Sequence, residues 1–176
     1  MAIKYLVLSG PSGVGKSTVA RYACRRYPEI FCEALGSTTR KPRLNEYHGV
    51  HYNFVEKEDW VESDYIEQNP YLGEFYGYSK DNLEPDPFSQ VRIFVVNVEA
   101  LLTYPLPKEE TLRVLLTFPS FEEMARRTQS RNRADKITQE LKYVKENLIT
   151  SKEIIVIENK TVHGTAKALL KVRAML

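Results

Sequence analysis

Four stretches of the chain are apolar runs closed by turn residues: Ile3 to Ser9 before Gly10, Val91 to Val98, Leu112 to Phe118 before Pro119, and "EIIVIEN" from Glu153. Runs of that length with little alternation predict strands buried on both faces. The segments between them have helical spacing. Ser17 to Tyr27 predicts a helix that stops before Pro28, and Val162 to Leu176 a closing one. Ser120 is placed to cap a helix through Arg131, with Glu122 and Glu123 in its first turn. Ile137, Leu141, Val144 and Leu148 set the apolar stripe of another, over Ile137 to Ser151. Phe31 to Ser37 predicts a further short strand. Strands alternating with helices predict an α/β domain with a largely parallel sheet, right-handed crossovers and ligands beyond the carboxyl ends of the strands.

The middle of the chain breaks this rhythm. Ser37 to Gly49 is loop-like, with Pro42, Asn45 and Gly49 as breakers. "HYNFV" alternates as a half-buried strand does, and Glu56 to Gln68 predicts a helix anchored by Trp60. "NPYLGEFYGYSKDNLEPDPFS" reads as irregular. Residues 36–85 are therefore expected to form a lobe inserted into a core of residues 1–35 and 86–176.

Composition narrows the choice without deciding it. The 176 residues are 43% hydrophobic and 27% charged, enough for one domain with a sizeable core. A net charge of +2 argues against a dedicated nucleic-acid binder. Cys24 and Cys32 have no zinc or disulfide spacing and read as reduced thiols. The apolar start is too short for a signal peptide, and no segment is long enough to span a bilayer. A cytoplasmic protein without a membrane partner is the expectation.

The chemistry begins at "GPSGVGKS", Gly10 to Ser17, which has the spacing G-x-x-x-x-G-K-[ST]. An apolar strand leads in and a helix leads out, so backbone N–H groups of Gly10, Pro11, Ser12, Gly13, Val14, Gly15 and the start of the helix can cradle phosphates (Pro11 contributes shape, having no N–H). Lys16 would reach the β- and γ-phosphates, and the Ser17 hydroxyl would complete the shell of a Mg²⁺ ion. The bland alternative is a glycine-rich turn with a solvated lysine. Asn97 and Glu99, two apart at a strand end, share a face. Glu99 either holds a water on Mg²⁺ or is a solvated carboxylate. Arg40 and Arg43 stand in a polar loop near Tyr52. They suit a phosphate monoester bound by planar guanidinium forks, or else form a solvated basic loop. On the predicted third helix Arg127 and Arg131 share one face, with Glu123 to offset their repulsion.

Taken in order, "SGPSGVGKST", "STTRKPR..E..G..YNFV", "FYGY", "RR...R" and "VIEN" resemble the guanylate kinases over nearly the whole chain. The resemblance implies a P-loop NTPase core with a parallel sheet, an inserted NMP-binding lobe and a short lid over residues 126–140. It implies ATP at Gly10 to Thr18 and Asn159. It places the acceptor's phosphate at Arg40, Arg43, Tyr52 and Tyr76, with Glu46 and Ser37 beside them and Glu74 and Asn97 at the base. Lys16, Arg40, Arg127 and Arg131 become the catalytic set, with Mg²⁺ on Ser17. A carboxylate suits guanine, whose N1–H and 2-amino group are adjacent donors. The implied reaction is ATP + (d)GMP → ADP + (d)GDP in a monomer or homodimer, with lobe and lid closing to exclude water.

Several positions depart from the pattern. Gly36 stands where the family usually has serine, Tyr78 replaces a small hydroxyl residue, and Asn97-x-Glu99 replaces D-x-D. The segment from Leu72 to Tyr76 reads as short, the lid is a little short, and Glu140 stands where a third arginine is expected. Such changes leave room for another monophosphate or a ribose bisphosphate as acceptor. A non-catalytic phosphopeptide-binding module is the remaining alternative, and the complete phosphate loop speaks against it.

Overall fold

The computed structural model describes residues 2–71, 73–84, 86–128 and 134–174. Its strands are β1 (Tyr5–Ser9), β2 (Phe31–Glu33), β3 (Ser37–Thr38), β4 (Asn53–Phe54), β5 (Tyr65–Tyr71), β6 (Glu74–Ser79), β7 (Val91–Val95), β8 (Thr111–Thr117) and β9 (Ile155–Glu158). Its α-helices are α1 (Lys16–Arg26), α2 (Phe121–Thr128), α3 (Ala134–Tyr143) and α4 (Val162–Ala174). The chain divides into two compact units, Met1–Glu33 with Phe88–Leu176, and Ala34–Pro87. No helix among the described residues is long and apolar enough to cross a membrane.

The first unit is built on a five-stranded sheet in the order β2-β7-β1-β8-β9, every pair parallel. Leu6, Leu8, Val91, Ile93, Leu112, Val114 and Leu116 alternate onto one face. There they form one cluster with Val19, Ala20 and Ala23 of α1 and Ala166 and Leu169 of α4. Val7, Phe94 and Leu115 alternate onto the opposite face and are just as buried. Burial on both faces is why these strands read as unbroken apolar runs. Each fully buried Leu, Ile or Val contributes about 1.5–3 kcal/mol. The loop of residues 10–15 therefore sits at the carboxyl end of the central strand, held by the most buried part of the sheet.

The second unit has its own sheet in the order β4-β3-β6-β5, with β3–β4 parallel and the other pairs antiparallel. Here the structure corrects three expectations. Phe31 to Ser37 is not one strand: Phe31–Glu33 joins the large sheet and Ser37–Thr38 the small one. The helix expected over Glu56 to Gln68 is absent; two 3₁₀ turns, Lys57–Asp59 and Glu62–Asp64, lead into β5. Trp60 does anchor the segment, but on a sheet. Its ring stacks on Tyr65 at 3.8 Å and 5°, lies 5.7 Å from Phe75, and donates Nε1–H to Gln68 at 3.1 Å.

The third correction concerns the stretch from Asn69, which reads as irregular because of Pro70 and Gly73 yet forms the hairpin β5–β6. Phe75, opposite Pro70, directs both its N–H and its C=O toward β3, to Thr39. Pro70 and Phe75 are thus a non-hydrogen-bonded pair, and Pro70 lies on the end strand with its nitrogen outward. Proline is tolerated there because it removes no ladder bond.

Candidate active site

The phosphate loop forms as its sequence requires. Gly13 and Gly15 take φ values of +87° and +102°. Left-handed glycines alternating with ordinary residues turn successive N–H groups to one side, an anion-binding curve. Gly15 is also the N-cap of α1, which has no side-chain cap and no acidic residue in its first turn. Its amino-terminal N–H groups and positive dipole end are unopposed by any carboxylate of the helix itself. Lys16 Nζ donates to the carbonyls of Gly10 at 2.5 Å and Pro11 at 3.3 Å, so its ammonium lies over the loop. Ser17 and Thr18 open the helix and are exposed.

The back of the loop is clamped through one carbonyl. Val14 O accepts from Asn159 Nδ2 at 2.7 Å and from Arg127 Nη1 at 3.2 Å. Asn159 is 1% exposed, and its Oδ1 accepts from Thr165 at 2.7 Å. A side chain committed at both ends positions the loop, a structural role beside the one expected of it at ATP. A Cβ on Gly15 would stand 2.8 Å from that same Nδ2, so the clamp and the glycine require one another. Arg127 also donates to Asn159 O at 3.1 Å and to Glu123 Oε1 at 2.6 Å. The capped start of α2, where Glu123 N–H donates to Ser120 Oγ at 3.2 Å, thereby aims Arg127 at the loop. Arg131 lies outside the described residues.

Asn97 is likewise engaged. Its Oδ1 accepts the N–H of Ala100 at 2.9 Å, forming a local turn, and its carbonyl accepts from Ser9 Oγ at 2.7 Å. Glu99 is exposed.

In the second unit several of the residues expected at the acceptor lie near one face of the small sheet. Cross-strand partners share a face, which puts Thr38, Tyr76, Tyr78 and Glu67 together. Tyr52 meets Tyr76 edge-on, with ring centres 6.3 Å apart, and the Arg40 guanidinium lies 5.2 Å above the Tyr52 ring and 5.6 Å from Phe54. Asn45, at φ +66°, turns the chain so that Glu46 comes back to Arg40. The pair is bidentate, 2.5 Å and 2.9 Å, and Glu46 Oε2 also accepts the Arg43 N–H at 2.8 Å. Arg40 Nε is buried and has no hydrogen-bond partner. A buried N–H of a cation without a partner is costly, and an anionic oxygen is the ligand that satisfies it best. Arg43 is exposed beside it.

The hydrogen bonds from Arg40, reinforced by the Arg43 N–H, pull the Glu46 carboxyl down to about 2. A depressed carboxyl adds stability above its unfolded pKa of about 4.3 and loses it as pH falls toward 2. In a carbon-detected NMR titration Glu46 is expected to complete its titration well below the ordinary carboxylate range, as Glu123, paired to Arg126 and Arg127, also does. A midpoint in the ordinary range would show that the Arg40–Glu46 pair does not hold in solution.

Two of the residues expected at the acceptor have partners within their own unit. Ser37 pairs with Gly77, on the opposite face, and its hydroxyl is a hydrogen-bond partner of Tyr65. Glu74 is held by Thr39 Oγ1 at 2.7 Å and by Lys57 Nζ at 3.3 Å, which lowers its pKa. A second carboxylate on the tyrosine face is Glu67, opposite Tyr78, which the sequence reading missed. It is half-buried, and burial alone pushes its pKa up. Its signal in the sequence was an acidic residue inside an aromatic and β-branched stretch, "DYIEQ", hidden by the helix assignment. Gly36 lies between the rings that close this face: a Cβ there would stand 3.4 Å from Tyr52 and 3.5 Å from Tyr78.

Comparison with known proteins agrees with this layout. The guanylate kinase family model matches residues 2–174. Among curated relatives, the guanylate kinase of Chlamydia felis is 35% identical over 135 residues, 73% of this chain and 65% of that protein. The guanylate kinase of Chlamydia abortus is 33% identical over 153 residues, covering 84% of this chain and 74% of its own length. The matched part thus spans about two thirds to three quarters of these two relatives. The crystal structure of guanylate kinase from Anaplasma phagocytophilum superposes with a TM-score of 0.74 at 25% identity, over 99% of this chain and 86% of that one. With its phosphate loop, its parallel core sheet and its arginine-bearing small sheet all matched, the chain belongs to the guanylate kinase family.

Proposed function

We propose that the chain transfers the γ-phosphoryl group of ATP to GMP or dGMP, giving ADP and the nucleoside diphosphate. The observation that carries the acceptor half is Arg40: a buried guanidinium with an unsatisfied Nε, set over aromatic rings beside Arg43, Tyr52 and Tyr76. That arrangement suits the phosphate of a monoester, and the complete phosphate loop suits the donor. The acceptor oxygen is already anionic at neutral pH, so the chain's task is positioning and charge neutralisation rather than proton removal. Lys16 serves the transferred group; Arg127, which braces the loop through the Val14 carbonyl, and Arg131 are assigned to that group by resemblance. The Ser17 hydroxyl, exposed at the start of α1, supplies the single hard oxygen that a Mg²⁺ ion takes from protein when phosphates and waters provide the rest. Bound there, Mg²⁺ would neutralise charge on the phosphates.

Glu67 is the carboxylate we assign to the base. Strand register sets it opposite Tyr78, on the face that also carries Tyr76 and Glu74; Glu74 is held by Thr39 and Lys57, and two adjacent donors of guanine match the two oxygens of Glu67. The Tyr78 ring beside Gly36 makes the rest of that end apolar, so GMP and dGMP should be accepted alike. The test is an ADP-release assay with ATP and a panel of GMP, dGMP, AMP, CMP, UMP and dTMP. The expected result is turnover with the two guanine nucleotides at least about tenfold above the others. Preference for another base, or no ADP release above the ATP-only rate with any acceptor, would reject the proposal.

A further inference from the structure

Glu140 is the one carboxylate that reaches the phosphate loop among the described contacts. It is 5% exposed and stands at a buried position of its helix, in line with Ile137 before it and Val144 and Leu148 after it. Leu141, expected in that stripe, is only half-buried. A carboxylate in an apolar stripe must be hydrogen-bonded to be tolerated. Glu140 finds both partners on one residue: it accepts the Ser12 backbone N–H at 2.7 Å and the Ser12 hydroxyl at 2.9 Å. Among the described residues the other charged group facing it is Lys136 of the same helix, 3.9 Å away.

We infer that Glu140 is a positioning residue of the phosphate loop, fastening Ser12, and with it the loop's first turn, to α3. The loop has internal braces at two places. Asn159 and Arg127 hold its second half at the Val14 carbonyl. Glu140 holds its first half at Ser12, across 128 positions of sequence. With both braces in place the N–H groups are preset for a polyphosphate, and ordering them does not draw on the binding energy. The bidentate contact is geometric. A glutamine keeps it, its oxygen accepting the N–H and its amide donating to the hydroxyl, while an alanine removes it.

The inference rests on reading this loop as the ATP site, and titration of the wild-type protein with MgATP tests that reading by itself. The inference is tested by calorimetry with MgATP on E140A, E140Q, S12A and the S12A/E140A double variant, with KM for ATP and for the acceptor measured in parallel. E140A is expected to weaken MgATP binding about tenfold while leaving the acceptor KM unchanged, and E140Q to stay within about threefold of wild type. S12A, which keeps the N–H, should fall between, and the double variant should bind no worse than E140A. Four outcomes overturn the inference. They are unchanged MgATP affinity in E140A, tighter binding in both E140A and E140Q, E140Q as weak as E140A, or losses in S12A and E140A that simply add. A residue serving stability alone would lower the melting temperature of E140A without moving its MgATP affinity.

Discussion

Lys16→Ala is expected to lower kcat about a thousandfold, with the fold retained. The side chain lies over the loop, bonded to the Gly10 and Pro11 carbonyls, at the first residue of a helix whose amino end carries no acidic side chain. It is therefore a cation held on the loop by the loop's own carbonyls. Loss of one preorganised group that meets developing charge costs about 10²–10³ in rate, and phosphoryl transfer is especially dependent on such groups. The core cluster does not include Lys16, so the melting temperature should move by no more than a few degrees. Turnover near the wild-type value would remove the assignment of the loop as the donor site. Loss of the cooperative melting transition would instead show a structural role, and Lys16→Met, which keeps the stem, would then separate packing from charge.

Arg40→Ala has a different signature. The acceptor KM should rise about 30- to 150-fold, the equivalent of about 2–3 kcal/mol for charged hydrogen bonds to a phosphate, while MgATP affinity stays within about twofold. Part of the loss has an indirect source. Removing the guanidinium leaves Glu46, otherwise paired to it at two atoms, as an uncompensated anion beside the acceptor's phosphate. Arg40→Ala/Glu46→Gln removes that repulsion and should recover some of the affinity, whereas Arg40→Lys keeps charge but not the fork and should recover less than half. An acceptor KM unchanged in Arg40→Ala would mean that the phosphate is bound elsewhere. A fall in MgATP affinity as large as the change in acceptor KM would refute the separation of roles between the two units.

The core was legible in the sequence because its physics is repetitive. Apolar runs of seven or eight residues and amphipathic helices announce themselves by pattern, and the phosphate loop by a spacing that serves one geometry. The small sheet was not legible for the opposite reason. β3 and β4 are two residues each, too short to show a period, and the packing on one side depends on Trp60, Tyr65 and Phe75 meeting across the sheet. A helix was therefore assigned where a strand forms, and Glu67 was hidden with it. The identities of the phosphate-binding residues could be named, but what each side chain does with its hydrogen bonds could not. Asn159 turns to Val14 and Glu140 to Ser12 across 145 and 128 positions, and only the assembled sheet brings those partners together. Asn97 is a subtler case: its bond to Ala100 is local, an Asx turn that competes with any ligand for the same oxygen.

Pro70 bears on how copies of the chain behave at high concentration. As the last strand of its sheet, β5 offers its outer edge to any extended segment that would add to it. Growth of that kind needs a row of donors and acceptors at regular intervals. Pro70 interrupts the row by withholding a donor on the outer side alone, where the native hairpin loses nothing. The same residue that obscured the strand in the sequence thus leaves a gap in the donor row of that edge, which works against sheet extension from one copy of the chain to the next.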